Sequence, residues 1–276
     1  MNVLPRWFTV GLASMVLVAP ASLLPQAMGQ TAAELHKRGL DRLNERQFDK
    51  AIADFTEAIK LDPKNTDALV ARGGTWGMMG DLDNSIADFT AAIKLDPKNT
   101  GALVARGGTW GMKGDFDKAI VDFTEAIKLD PKEPYFHFGR GESYMAKGDH
   151  DKAIADFDKA IRLDSKNPMY FESRGGTWGM KGEFDKAIAD FTEAIKLDSK
   201  NKADVYADRG QAWAAKGDRE KAASDHRQAE LLRKSRKLRF GFQDDVLSQI
   251  QVIGVPQSGQ GGVLKRVMAG KTNKRG

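Results

Sequence analysis

The sequence predicts an all-α chain built as a solenoid of about six antiparallel helix pairs. Three observations carry this. First, one unit recurs nearly verbatim: residues 73–98, 107–132 and 175–200 read GGTWGMMGDLDNSIADFTAAIKLDPK, GGTWGMKGDFDKAIVDFTEAIKLDPK and GGTWGMKGEFDKAIADFTEAIKLDSK. Second, the offsets are 34 and 68 residues, one period and two, with a divergent copy around Gly141, Tyr144, Ala153, Phe157 and Ala160 filling the gap. Third, each unit carries two stretches with helical spacing of small and apolar residues. A period of this length marks stacked helix pairs rather than a catalytic globule.

Residues 100–131 show how one unit folds. Leu103, Gly107 and Trp110 fall at i, i+4 and i+7 on one face of a first helix. Gly114 ends that helix, because glycine enters the left-handed C-terminal conformation without steric cost. Asp115 follows and caps the second helix through its side-chain oxygen. Ala119, Phe123, Ala126 and Ile127 then form one stripe. Leu129-Asp130-Pro131 closes the unit, since the residue before proline is pushed out of the helical region. Small residues at Gly107, Ala119 and Ala126 let the two helices approach, and Trp110 and Phe123 fill the remaining space. One such pair cannot bury its faces alone, so neighbours must stack.

These residues resemble the tetratricopeptide repeat, with its first-helix glycine and aromatic followed by Ala, Phe, Ala and Pro. Six copies lie over residues 30–232, with glycines Gly39, Gly73, Gly107, Gly141, Gly175 and Gly210. The expected repeat core is Gly73, Trp76 and Phe89, then Gly107, Trp110 and Phe123, then Gly141, Tyr144 and Phe157, then Gly175, Trp178 and Phe191. The copies depart from the pattern at Arg42 (for the aromatic), Ser85 (for alanine), Ser165 and Ser199 (for proline) and His226 (for phenylalanine). The sixth copy also has one extra residue before its first helix. The resemblance implies a right-handed superhelix whose first helices line a concave, peptide-binding face. It places in that groove Val70, Gly74, Gly77 and Met78; Val104, Gly108, Gly111 and Met112; Tyr135, Phe138, Glu142 and Met145; and Met169, Glu172, Gly176, Gly179 and Met180. Methionine is flexible and polarizable and suits surfaces that accept varied apolar partners. Tyr135 and Phe138 are the expected aromatic anchors. The alternative is that the methionines fill seams between helices.

A charge pattern runs with the repeats. Arg38, Arg72, Arg106, Arg140, Arg174 and Arg209 each precede the repeat glycine, and Asp54, Asp88, Asp122, Asp156, Asp190 and Asp225 recur in the second helices. The matched counts favour a ladder of Arg–carboxylate pairs between helices. The competing reading is an arginine stripe that binds acidic partners.

The chain's net charge of +5 is unevenly placed. Residues 1–29 carry only Arg6, and residues 233–276 carry ten Lys or Arg against two Asp, leaving 5 − 1 − 8 = −4 on residues 30–232. Basicity therefore resides in the tail, and nucleic acid is not the expected partner. Residues 1–29 read as a secretory signal peptide: Arg6, an uncharged stretch from Trp7 to Leu24, then the small-x-small site Ala27-Met28-Gly29. Cleavage is expected after Gly29, with Ala21 as the second candidate and an uncleaved anchor as the alternative. The expected location is therefore periplasmic or secreted. Residues 233–239 should extend the last helix, and Phe240–Val255 could add an amphipathic turn or two. The remainder to 276 reads as a flexible, basic tail. That tail is either a solvated extension or a contact to an anionic membrane or cell-wall surface.

With no cysteine and four histidines, none paired at metal-ligand spacing, no metal site or cofactor is expected. No nucleophile, phosphate loop or acid–base pair stands out either. The expected function is a non-catalytic scaffold in the cell envelope that docks a segment of another protein or peptide. The alternative is an envelope spacer held to an anionic surface by its tail.

Overall fold

The computed structural model describes residues 30–198 and 203–252, which form twelve helices and no strand. They are α1 (Ala32–Asn44), α2 (Phe48–Leu61), α3 (Thr66–Met78), α4 (Leu82–Leu95), α5 (Thr100–Met112), α6 (Phe116–Leu129), α7 (Pro134–Lys147), α8 (His150–Leu163), α9 (Pro168–Met180), α10 (Phe184–Leu197), α11 (Ala203–Ala215) and α12 (Arg219–Val252). Each odd-numbered helix packs on the even-numbered helix that follows, and each pair packs on the next. Consecutive first helices also touch one another, whereas second helices do not. The first helices therefore line the inside of the curve.

The boundaries follow the residue chemistry. Asn65, Asn99, Asp81 and Asp115 accept from backbone N–H groups three residues on, satisfying donors that a helix start leaves open. Between the two helices of a pair, Gly80, Gly114, Gly148, Gly182 and Gly217 all take φ between +77° and +86°. The first pair has Arg46 at that place, at φ +59°.

In the first five pairs the second-helix phenylalanine lies against a glycine of the first helix, and in the sixth His226 takes that place against Gly210. Phe55 and Phe157 are fully buried. A Cβ on Gly141 would come within 2.7 Å of the Phe157 ring, so no larger residue fits without repacking. Phe123 is clasped from both sides, since Gly107 of its own pair and Gly139 of the next both face its ring. Trp110 and Trp178 are only half-buried, and each takes a lysine on its face: Lys118 Nζ lies 4.1 Å from the Trp110 ring centre and Lys186 Nζ 4.3 Å from that of Trp178.

The arginine–aspartate ladder is present in all six pairs. Arg38, Arg72, Arg106, Arg140, Arg174 and Arg209 each hold their aspartate through Nε and Nη2 at 2.5–2.9 Å. From Arg72 onward the guanidinium reaches further. Its Nη1 donates to the preceding pair: to Thr56, Thr90, Thr124, Asp158 and Thr192 from Arg72, Arg106, Arg140, Arg174 and Arg209 in turn. One side chain thus joins two helices of its own repeat to a third from its neighbour. A second, exposed set of ion pairs, Lys113–Asp83, Lys147–Asp117, Lys181–Asp151 and Lys216–Asp185, also crosses repeat boundaries. Exposed pairs of this kind contribute little, ~0–1 kcal/mol each.

At the C-terminal end, α12 runs well beyond the expected extension. It carries the chain through Phe240 to Val252 as one continuous helix. Among the described residues no helix is long and apolar enough to cross a membrane. The expected signal segment 1–29 and the tail beyond Val252 lie outside the described residues.

Candidate binding groove

The inner face is assembled from α1, α3, α5, α7, α9 and α11, and its chemistry changes along the array. At the N-terminal end it is sparse, with Asp67 exposed at the repeat position that Tyr135 and Met169 fill later in the array. Met78 and Met112 are 68% and 64% exposed. Gly74, Gly108 and Gly111 have open space where a side chain would be. Val70 is half-buried and packs at the edge of the Leu69–Ala92–Ala102 cluster, and Val104 is likewise half-buried.

The fourth copy differs from this pattern. Tyr135 is 50% exposed on the inner face. Phe138 is not exposed: it is a core residue, 8% exposed, packed against Phe157 and Tyr170 with ring centres 5.9 and 5.1 Å away. Its expected role as a groove anchor is therefore corrected. The matching residue is valine in the second and third copies, and the larger phenylalanine ring packs against Phe157 of α8. Met145 packs partly buried against the same cluster, so it behaves as a seam residue. Met169 and Met180, at 49% and 64% exposed, remain open.

The carboxylates gather toward the C-terminal end. Glu142 projects from α7 at a position that is glycine in its neighbours, and it hydrogen-bonds Ser173 of α9. Its Oε1 is buried and has no hydrogen-bond partner. Burial holds its carboxyl above the ordinary carboxylate range, and the Ser173 contact only partly offsets this. Glu172 is half-buried. Asp208 of α11 is exposed as a residue, yet desolvation first, then the charges of Asp204 and Glu172, hold its carboxyl high, with Arg233 acting the other way. The neighbouring cations are engaged. Arg140, Arg174 and Arg209 serve the ladder, and hydrogen bonds to their aspartates hold all three guanidiniums above their ordinary value. Lys181, Lys216 and Arg233 pair with Asp151, Asp185 and Asp204.

Between α9 and α11 the groove deepens into a recess of about 510 Å³. Gly176, Gly179 and Met180 form one wall, Phe184 and Phe191 the floor, and Asp208, Gln211, Ala212 and Ala215 the other wall. The recess exists because Gly176 and Gly179 carry no side chain and nothing else lies within 4 Å of where their Cβ atoms would sit. Asp208 and Gln211 were not among the residues expected from sequence. The extra residue before α11 obscures their register, and only alignment backward from Gly210 would have found them. Among the described residues, no cluster of three His, Asp or Glu is placed to hold a metal ion.

Six stacked helix pairs, each closed by a glycine–aromatic contact, define a helical-repeat protein with a continuous inner groove. The tetratricopeptide-repeat family matches residues 36–100, 112–168 and 181–235, and the chain belongs to that family. Among solved structures, a MamA protein is 26% identical over 63% of this chain and 95% of its own, with a TM-score of 0.57. PilW, described as a type IV pilus biogenesis factor, is 18% identical over 74% of this chain and 94% of its own, at TM-score 0.67. YrrB, described as a TPR protein with an unusual peptide-binding site, is 19% identical over 69% of this chain and 97% of its own, at TM-score 0.53. No curated protein matches the chain.

Proposed function

We propose that the protein is a non-catalytic interaction scaffold of the cell envelope that docks a segment of another protein along the inner face of its first helices. The observation that carries this is the row of large apolar side chains left open on that face: Met78, Met112, Tyr135, Met169 and Met180. Family membership supports the reading, and the peptide-binding site named for YrrB supports it by analogy of fold. The envelope location rests on the signal-like residues 1–29. Burial makes Glu142 a selective element, since it favours a ligand that brings a donor or a positive charge.

The test is capture of an envelope partner by residues 30–276, beside the variant Tyr135→Ala/Met112→Ala/Met180→Ala. All three residues are at least half exposed, so the variant should keep its fold. The reading expects loss of the partner at an unchanged thermal midpoint. If capture is unchanged in the variant but disappears on removal of residues 240–276, the tail is the working part and the repeats act as a spacer.

A further inference from the structure

Resting on the scaffold reading, we propose that the recess between α9 and α11 is a docking site for the C-terminal segment of a second copy of this chain, residues 263–268, VLKRVM. The two surfaces match in kind. The recess offers an apolar floor, Phe184 and Phe191, beneath a wall carrying Asp208. Glu172 and Glu142 continue the acidic character along the same face, and the adjacent lysines and arginines are engaged elsewhere. The segment offers Val263, Leu264, Val267 and Met268 around Lys265-Arg266, and residues 253–276 hold five Lys or Arg with no Asp or Glu. A recess formed by two missing side chains accepts one or two aliphatic anchors, while the carboxylates fix the flanking cations.

Reach selects a second copy over the chain's own tail. Arg233 of α12 pairs with Asp204 near the start of α11, so at that level the two helices are side by side. From there α12 continues 252 − 233 = 19 residues. At ~1.5 Å per residue this carries Val252 about 28 Å past Asp204. The recess lies in the opposite direction, near Gln211, a further ~10 Å along α11. The direct path back is therefore about 39 Å before any lateral offset. The twelve residues from Val252 to Leu264 span at most ~43 Å when fully extended. A tether at its limit gives a very low effective concentration, whereas a neighbouring molecule meets no such limit.

The experiment uses residues 30–276 and 30–252; the described core, from Leu35 to Ala229, lies inside both. Sedimentation velocity should show concentration-dependent association of 30–276, weakened at high salt, and a monomer for 30–252. A fluorescent peptide of residues 259–276 should bind 30–252. Binding should weaken about tenfold or more with Gly179→Leu, which fills the recess where space is open, and similarly with Asp208→Lys. A peptide bearing Leu264→Asp should fail on the unaltered protein, so the result does not depend on a groove variant folding.

Association that persists in 30–252, or a peptide that binds the Gly179→Leu variant as tightly, overturns the proposal. A monomeric 30–276 that refuses the peptide while 30–252 accepts it places the tail in its own groove and overturns the two-copy arrangement. None of these results touches the scaffold reading, which is decided by partner capture through Tyr135, Met112 and Met180.

Discussion

Replacing Arg106 by methionine isolates the contribution of the ladder. Arg106 donates to Asp122 at 2.8 and 2.7 Å and to Thr90 of the preceding repeat at 3.1 Å. Asp122 is 3% exposed. Removing the guanidinium leaves that carboxylate buried without its counter-charge, which costs ~3–5 kcal/mol in comparable buried pairs. Arg106 itself retains some contact with water, so the low end of that range, about 3 kcal/mol, is expected. The double variant Arg106→Met/Asp122→Leu removes the stranded charge and should recover most of the loss, because apolar replacement of a buried ion pair is often neutral or better. Urea denaturation followed by circular dichroism gives the total. Hydrogen exchange should localise the effect to α4, α5 and α6, since each repeat in a solenoid couples only to its neighbours. A single variant that costs less than ~1 kcal/mol would show that the ladder is no stronger than a surface pair. A double variant as destabilised as the single would show that the loss comes from packing rather than charge.

Three further outcomes follow from the same geometry. Gly139→Ala should lower the thermal midpoint while Gly108→Ala raises it. A Cβ on Gly139 would lie 2.4 Å from the Phe123 ring, and one on Gly108 meets nothing within 4 Å. Overpacking of ~1–3 kcal/mol outweighs the helix gain at the first site, and a gain of up to ~1 kcal/mol acts alone at the second. Glu142→Gln should stabilise the protein at neutral pH and flatten its stability profile. Glu142's folded pKa lies above its unfolded value, so the folded state binds the proton more tightly and loses stability as pH rises from the ordinary carboxylate range through the folded value. Paired melts across that range check the sign. Arg46→Gly should raise stability by up to ~1 kcal/mol in a denaturation series, because a left-handed arginine costs ~1–2 kcal/mol and glycine returns part of that as unfolded-state entropy.

The features legible in the sequence were those that recur. The period, the cap residues and the matched arginines and aspartates each appear several times at fixed offsets, and each is local or spans one helix pair. Contacts that depend on a neighbouring copy were harder to read. The threonines that take the third arginine hydrogen bond recur at a fixed spacing, yet nothing within one repeat shows that they face the next. Phe138 illustrates the same limit. Its position faces the groove when it is valine, but the larger ring reaches Phe157, and it finds room beside Tyr170 because the fifth copy places that residue there. Burial at such a site depends on side-chain length and on the following repeat, not on register. The length of α12 was also hidden, since Gly241 interrupts the pattern where a stop would be expected, and the backbone continues as helix through it.

The ladder also decides between the two meanings the sequence left open for the repeated arginines. An arginine that binds a ligand needs free donors, but these guanidiniums direct Nε and Nη2 at their own aspartate, and five of them direct Nη1 at the preceding repeat. They fix the angle between successive pairs and leave little to offer a carboxylate partner. With the arginines engaged in the ladder, the character of the inner face is set by its other residues. These are methionine and glycine along α3, α5 and α9, tyrosine and a half-buried glutamate on α7, and carboxylates at Asp67, Glu172 and Asp208. The ladder residues thus hold the frame, and the residues between them set the chemistry of its lining.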